Sequence, residues 1–371
     1  MKLICSKSNL LKGVNIVSKA VPVRTTMPIL SCILIDASLD EIKFTANDME
    51  LGIETKIEGD IISPGILALD AKVFSEIIRK LPDNDVTIET DDNFQTQITC
   101  EKAKFHILGK SGEDFSYLPD VEKNDCVVMS QFTLKEVIRQ TIFSIADNES
   151  NKIMAGELFE INENHFKIAS LDGHRISIRN VELRENYAYK KVIVPGKTLN
   201  EISKILPGSA EDDVMMFITE NHIIFEFDRT TVVSRLIEGE YFKIEQMIST
   251  DYETKLSINK KDLLDCIDRA SLLIKEGDKK PIIMNINDSI MELKINSFVG
   301  SMKEEIDIEK EGKDIMIGFN PKFFLDALRV IDEEEITVYM VNPKAPCFIR
   351  DDEENYIYLI LPVNFNAAAN E

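Results

Sequence analysis

Asp48 and Glu50 flank Met49, and a third acid, Asp172, stands in a matching sequence context. Carboxylates one residue apart with a third elsewhere are a donor set for a divalent cation, which points to metal-dependent cutting or extension of a phosphodiester chain. Aspartate after an apolar run also forms turns by accepting backbone N–H groups. Asp48 and Asp172 occupy corresponding places, which favours the turn role. Gly196-Lys197-Thr198 and Gly109-Lys110-Ser111 end like phosphate-binding loops, but the glycine needed five residues earlier is Lys191 in one and Lys104 in the other, so neither is a nucleotide site. The four histidines lack ligand spacing. Cys5, Cys32, Cys100, Cys126, Cys266 and Cys347 contain no pair at metal spacing and read as free thiols of a reducing compartment. No metal or cofactor is expected.

The bases are more orderly than the acids. Lys72 and Arg79, Lys197 and Lys204, and Lys322 and Arg329 are each seven residues apart, two helical turns, and so share a helix face. Lys12 and Lys19 repeat this spacing, with Lys135 and Arg139, and Lys261 and Arg269, as looser counterparts. The apolar positions of each segment fall on the other face. Such a row attracts phosphates without reading bases. The total charge argues the other way, since 43 Lys and Arg stand against 65 Asp and Glu, a formal net charge of −22. A basic helical lining inside an acidic shell accounts for both.

The elements carrying these bases recur. Lys72-Val73-Phe74 with Ile77, Ile78 and Leu81 returns as Lys197-Thr198-Leu199 with Ile202, Ile205 and Leu206, then as Lys322-Phe323-Phe324 with Ala327, Leu328 and Ile331, at equal intervals of 125 residues. Lys43 to Asp48 returns 124 residues later as Lys167 to Asp172, and more faintly as Lys294 to Phe298. Solenoid units run only about 20 to 50 residues. Each copy is therefore a domain, and a 371-residue chain holds three. Three similar domains in a row imply approximate rotational symmetry.

Within a copy the pattern reads helix, strands, helix, strands. Ser8 is expected to cap a helix that buries Leu10, Leu11, Val14, Val17 and Val21. Leu134, Val137, Ile138 and Thr141 mark its second counterpart, and Leu263, Leu264, Ile267 and Ala270, after a cap at Asn259, the third. Runs at Ile33 to Ile35, Val86 to Glu89, Phe217 to Thr219 and Ile336 to Val341 read as strands. The expected fold is α+β, with domains 1–125, 126–253 and 254–371, each of two helices packed on antiparallel sheets. Boundaries are placed at the polar stretches Glu122 to Asp125 and Thr250 to Thr254. With no apolar signal core and no run near the roughly 18 residues of a membrane span, a cytoplasmic location without membrane association is expected. The small polar tail Asn366 to Glu371 is expected to be disordered.

Six stretches then resemble a known family. Arg24 to Leu30 (RTTMPIL), Leu171 to Arg175 (LDGHR), Val192 to Pro195 (VIVP), Ser234 to Gly239 (SRLIEG), Ile317 to Asn320 (IGFN) and Tyr358 to Pro362 (YLILP) are similar, in order and spacing, to the bacterial DNA polymerase III beta subunit family of sliding clamps. The resemblance runs from Met1 to about Phe365.

This resemblance implies a non-catalytic processivity factor of DNA replication. Two subunits would join head to tail, six similar domains would close a ring, and twelve helices would line a hole for duplex DNA, held without sequence preference. Arg24 joins the twelve bases named above as a residue facing DNA. The subunit contact would set Lys102, Lys104, Phe105 and Ile107 of one chain against Leu272, Leu273, Glu304 and Glu305 of the other. A hydrophobic pocket for short partner peptides would be built from Met154, Leu171, Gly173, His174, Arg175, Ile176, Phe242, Met247, Pro346 and the run Leu359-Ile360-Leu361-Pro362-Val363. Phe242 stands where the family usually has proline, Gln246 where a base is frequent, and Asn364 in place of a base. The implied partners are the alpha subunit of the replicative polymerase, the ATP-dependent clamp loader, other polymerases and repair proteins. Two other readings compete: a metal-dependent nuclease or polymerase subunit using Asp48, Glu50 and Asp172, and a structural oligomer with no role on DNA.

Overall fold

Two helices serve each repeat of the computed structural model, which describes residues 1–119, 121–146, 151–275 and 280–365. They are α1 (Lys7–Val17), α2 (Ala71–Lys80), α3 (Gln131–Thr141), α4 (Gly196–Ile205), α5 (Lys260–Ser271) and α6 (Pro321–Leu328). Their starts follow from capping chemistry. Asp70 accepts from Val73 N at 2.9 Å, Asn259 from Lys261 N at 3.0 Å and Asp262 N at 3.2 Å, and Asn320 from Lys322 N at 3.1 Å ahead of Pro321. At α1 the cap is Ser6, whose hydroxyl accepts from Asn9 N at 3.2 Å, and Ser8 lies inside the helix. That helix ends at Val17, so Val21 follows a short 3-10 turn, Ser18–Ala20, instead of completing the buried stripe. The α2 pattern buries Ala71, Phe74, Ile77 and Ile78 and leaves Lys72 and Arg79 exposed.

The chain forms two compact units, Met1–Lys135 with Lys197–Leu236, and Glu136–Gly196 with Ile237 onward. In the first unit, the strands Asp60–Ser63, Lys2–Ser6, Asp85–Thr90, Gln95–Cys100 and Ala103–Leu108 lie side by side in that order. A nine-stranded sheet completes the unit, and at its middle Leu51–Ile57 of the first repeat pairs with Thr230–Arg235 of the second. In the second unit a seven-stranded sheet pairs the start of Arg175–Pro195 with Tyr356–Ile360 of the third repeat, and a four-stranded sheet ends at Ser301–Asp307. Each strand pairing among the described residues is antiparallel. The sheets thus cross from repeat to repeat, and each compact unit holds one whole repeat and part of the second.

The core is aliphatic and aromatic, with Phe44 and Phe74 meeting edge to face in the first repeat and Phe319 and Phe324 in the third. The six cysteines are free, and burial pushes the Cys5 and Cys266 thiols up to about 12, where they are unreactive. Among the described residues no helix is long and apolar enough to cross a membrane. The tail 366–371 lies outside the described residues.

Candidate interaction surfaces

Three equivalent turns link the repeats to their surfaces. Asp48 Oδ1 accepts from Glu50 N at 3.0 Å and Leu51 N at 2.7 Å. Asp172 Oδ1 accepts from His174 N at 3.0 Å and Arg175 N at 3.1 Å, and Ser297 Oγ accepts from Val299 N at 3.1 Å. The remaining oxygen of Asp48 binds Lys197, and that of Asp172 binds Arg175 Nε at 3.0 Å. With both aspartates engaged by backbone and cations, the donor set of a metal-dependent nuclease is missing. No cluster of three His, Cys, Asp or Glu side chains suited to a metal occurs among the described residues.

The bases fall into two groups. Lys12, Arg24, Lys72, Arg79, Lys197, Lys204, Lys261, Arg269, Lys322 and Arg329 are exposed. Lys12, Lys19, Arg24, Lys72 and Lys322 have no acidic partner among the described residues, whereas Arg79 pairs with Glu76, Lys204 with Glu201, Lys261 with Asp265 and Arg329 with Asp268. Exposed pairs of this kind are weak and screened by salt. Two residues depart from the expected lining. Lys135 donates to Leu206 O at 3.0 Å, closing the end of α4, and Arg139 is half-buried between Glu136 (2.6 Å) and Asp332 (3.4 Å). Lys19 lies in the 3-10 turn beyond α1.

Strand alternation divides the expected pocket residues. Leu171, Ile176 and Leu359 enter one apolar cluster with Tyr241 and Ile244, and Met154 and Phe242 pack against it. Ile360 points to the opposite face, into the core of the third repeat. Arg175 does the same and is only 6% exposed. Its guanidinium binds Asp172 and Asp326 and donates to Phe143 O, and it stacks 4.7 Å from the Phe323 ring. Arg175 is therefore a structural brace and not a pocket anchor. His174 and Gly173 are exposed, Gly173 at a φ of 86° that favours glycine. Leu361 N donates to His174 O at 2.9 Å and Val363 N to Gly318 O at 2.8 Å, which fixes the closing run beside the turn. Met247 is exposed after the 3-10 turn Ile244–Gln246, which Lys167 holds through Glu245 at 2.7 Å, and Pro346 is half-buried before the strand Cys347–Arg350. Sequence reasoning missed Tyr241, Ile244, Phe323 and Asp326. For the first two, apolar spacing in the linker was the available signal.

Ala103–Leu108 and Ser301–Asp307 each end a sheet. Lys102, Lys104 and Phe105 are exposed beside half-buried Ile107. Leu272 is 79% exposed, and Leu273 packs partly on the core. Glu305 lies 3.7 Å from Lys303. Glu304 binds Arg269 within the chain, so two residues expected on different surfaces satisfy each other.

Comparison with known proteins gives these features a context. Residues 1–119, 128–243 and 245–364 match, in turn, the family descriptions of the N-terminal, central and C-terminal domains of the DNA polymerase III beta subunit. The chain belongs to the DNA polymerase III beta subunit family. The beta sliding clamp of Staphylococcus aureus is 34% identical over 374 residues, covering 98% of this chain and 99% of that protein. The structure of a beta subunit from Eubacterium rectale is 75% identical with a TM-score of 0.96, covering 98% of this chain and 100% of the other. The Bacillus subtilis sliding clamp is 35% identical with a TM-score of 0.95, covering 99% and 100%.

As a beta sliding clamp, the protein is a non-catalytic accessory of DNA polymerase III in DNA replication. Its three clamp domains of helices on antiparallel sheets are those expected from the sequence. The aspartates considered for catalysis serve as turn residues.

Proposed function

We propose that two copies of this clamp close head to tail into a ring of six domains that encircles duplex DNA and tethers the replicative polymerase. The observation that carries this reading is the pair of sheet edges left after both internal joints are made. Leu51–Ile57 and the start of Arg175–Pro195 take Thr230–Arg235 and Tyr356–Ile360 as neighbours, whereas the corresponding Ser301–Asp307 and Ala103–Leu108 end their sheets. Open edges of that length invite another strand, and a contact between unlike ends that closes after two copies removes both.

The internal joints also supply a register. Asp48 N donates to Leu51 O as Ser297 N does to Gly300 O, and the hairpins close at Phe227 opposite Thr230 and Cys100 opposite Ala103. Leu51 faces Ser234. The same register places Gly300 of one copy opposite Ile107 of the other, Phe105 opposite Met302, and Lys102 opposite Glu305. A Cβ on Gly300 would stand 3.7 Å from Leu273, so Ile107 meets an apolar neighbour there.

The exposed bases of the helices, with Arg24, then face phosphates without reading sequence, and the acidic exterior keeps DNA from adhering outside. Tethering keeps a polymerase at high effective concentration near its template. Its alpha subunit, other polymerases, the ATP-dependent clamp loader and repair proteins dock as short extended peptides in the apolar pocket of Leu171, Ile176, Phe242 and Leu359, with His174 and Leu361 at its rim. The domains are 1–125, 126–253 and 254–371, and the protein works in the cytoplasm. Retention on nicked circular DNA after loading, with release on linearisation, is the test. A protein that leaves circular and linear DNA equally fast does not encircle it.

A further inference from the structure

The first unit contains a second cleft, of about 240 Å³, lined by Met49, Glu50, Tyr117, Leu118, His222, Val233 and Arg235 among others. Its walls repeat those of the proposed peptide pocket. Arg235 N donates to Glu50 O at 2.9 Å, as Leu361 N donates to His174 O at 2.9 Å. Leu51 pairs with Ser234 as Arg175 pairs with Ile360. By these bonds Met49 stands in the place of Gly173, Glu50 of His174, Gly52 of Ile176, Val233 of Leu359 and Arg235 of Leu361. His222 faces Arg235 across the ladder and takes the place of Pro346, which precedes Cys347 opposite Ile360.

The copy differs in chemistry. Leu118 fills the floor over Gly52, where an added Cβ would come within 2.0 Å of its Cδ2. Met49 holds a φ of 76°, a conformation that favours glycine, yet carries a side chain on the cleft wall. Arg235 is exposed and has no acidic partner among the described residues. The His222 imidazole is driven toward neutrality by burial and by Arg235, so the guanidinium is the cleft's positive charge, on the residue whose N–H meets the Glu50 carbonyl.

We propose that this cleft is a second peptide site, which takes an extended segment with one leucine-sized side chain between Met49, Leu118 and Val233 and a carboxylate two residues further along on Arg235. The analogy rests on the peptide-pocket reading above, while the geometry and the charge are the cleft's own. It would give each subunit a secondary contact selective for acidic flanks, whereas at the pocket Arg175 is already engaged by Asp172 and Asp326.

The test uses full-length protein with 13C-methyl methionine, because Met49 reports the cleft and Met154 and Met247 report the pocket. The probes are acetylated, amidated Ser-Leu-Phe-Asp and its Ser-Leu-Phe-Asn counterpart, titrated to roughly 5 mM. The Met49 resonance is expected to shift saturably with the aspartate peptide and about tenfold more weakly with the asparagine peptide or in the Arg235→Glu variant. Met154 and Met247 should respond alike to both peptides and in both proteins, which also shows that the variant is folded. A still Met49 while Met154 and Met247 move overturns the second site alone. Movement of Met49 that ignores the aspartate and Arg235 overturns it too. Movement of Met49 alone, with the expected dependence, supports the cleft and removes the pocket reading, and stillness of all three removes both.

Discussion

The Arg175 guanidinium meets the Asp326 carboxylate at 2.6 Å and joins the turn of the second repeat to α6 of the third. Asp172 and the Phe143 carbonyl take its other donors. Removal of Arg175 leaves two partly buried carboxylates uncompensated, so Arg175→Ala should lose about 3 kcal/mol or more in denaturant unfolding. Lysine should not restore it, because one ammonium cannot span three acceptors as a planar fork does. His174→Ala is the cleaner probe of the pocket: peptide binding should weaken while the unfolding midpoint stays in place.

Glu157 is fully buried, and neither carboxylate oxygen has a hydrogen-bond partner among the described residues. Burial lifts its carboxyl from the ordinary 4.5 to about 8, and the nearby Thr141 hydroxyl is turned to Val137 O. Between those values the folded state keeps a proton that the unfolded state has released. Stability should therefore fall as pH rises through that window, by about 1.4 kcal/mol per pH unit from this group. Urea midpoints compared at pH 6 and pH 8 should drop less in Glu157→Gln than in the unaltered protein.

At the proposed subunit contact, Leu272→Ala combined with Leu273→Ala should raise the dimer dissociation constant by roughly a hundredfold and yield monomers in sedimentation at micromolar concentration. The transferred register makes a sharper claim. Lys102→Glu or Glu305→Lys alone should weaken the dimer about tenfold, and the two together should recover most of the loss. Independent, additive effects would mean that the register differs.

Glutamate at Lys12, Lys72 and Lys322 should abolish retention on circular DNA, flattening the salt dependence by about 0.9 logarithmic units of slope for each phosphate that is no longer neutralised. Lys135→Ala and Arg139→Ala should leave the slope unchanged, since both side chains are held by Leu206 O and by Glu136 and Asp332.

What the sequence made legible is what periodicity and local chemistry encode. Seven-residue spacing marked the bases of α2, α4 and α6, Asn259 announced its helix, and Asp48 and Asp172 were readable as turns because the two contexts match. Local rules predict a cap at Ser8, but the end of the strand Lys2–Ser6 sets where the helix begins and makes Ser6 the cap. Alternation separates Leu359 from Ile360, but which of the two faces the pocket depends on the strand alongside. The pairing of Arg269 with Glu304 and the ladders between repeats join residues 35 to about 180 positions apart, and no spacing rule reaches them.

The shared ladders also bear on how such a chain could arise. A single repeat carrying both edge types could in principle close a ring from six free pieces, each seam formed at the mercy of concentration. In the proposed ring, tandem fusion of three repeats would turn two of every three seams into intramolecular contacts, held at a high effective concentration. In that proposed ring the one seam left between separate molecules would then be the natural gate. Such a seam would part and reseal around DNA while the covalently tied joints stay shut, so an opening machine would need to act at only a single kind of place.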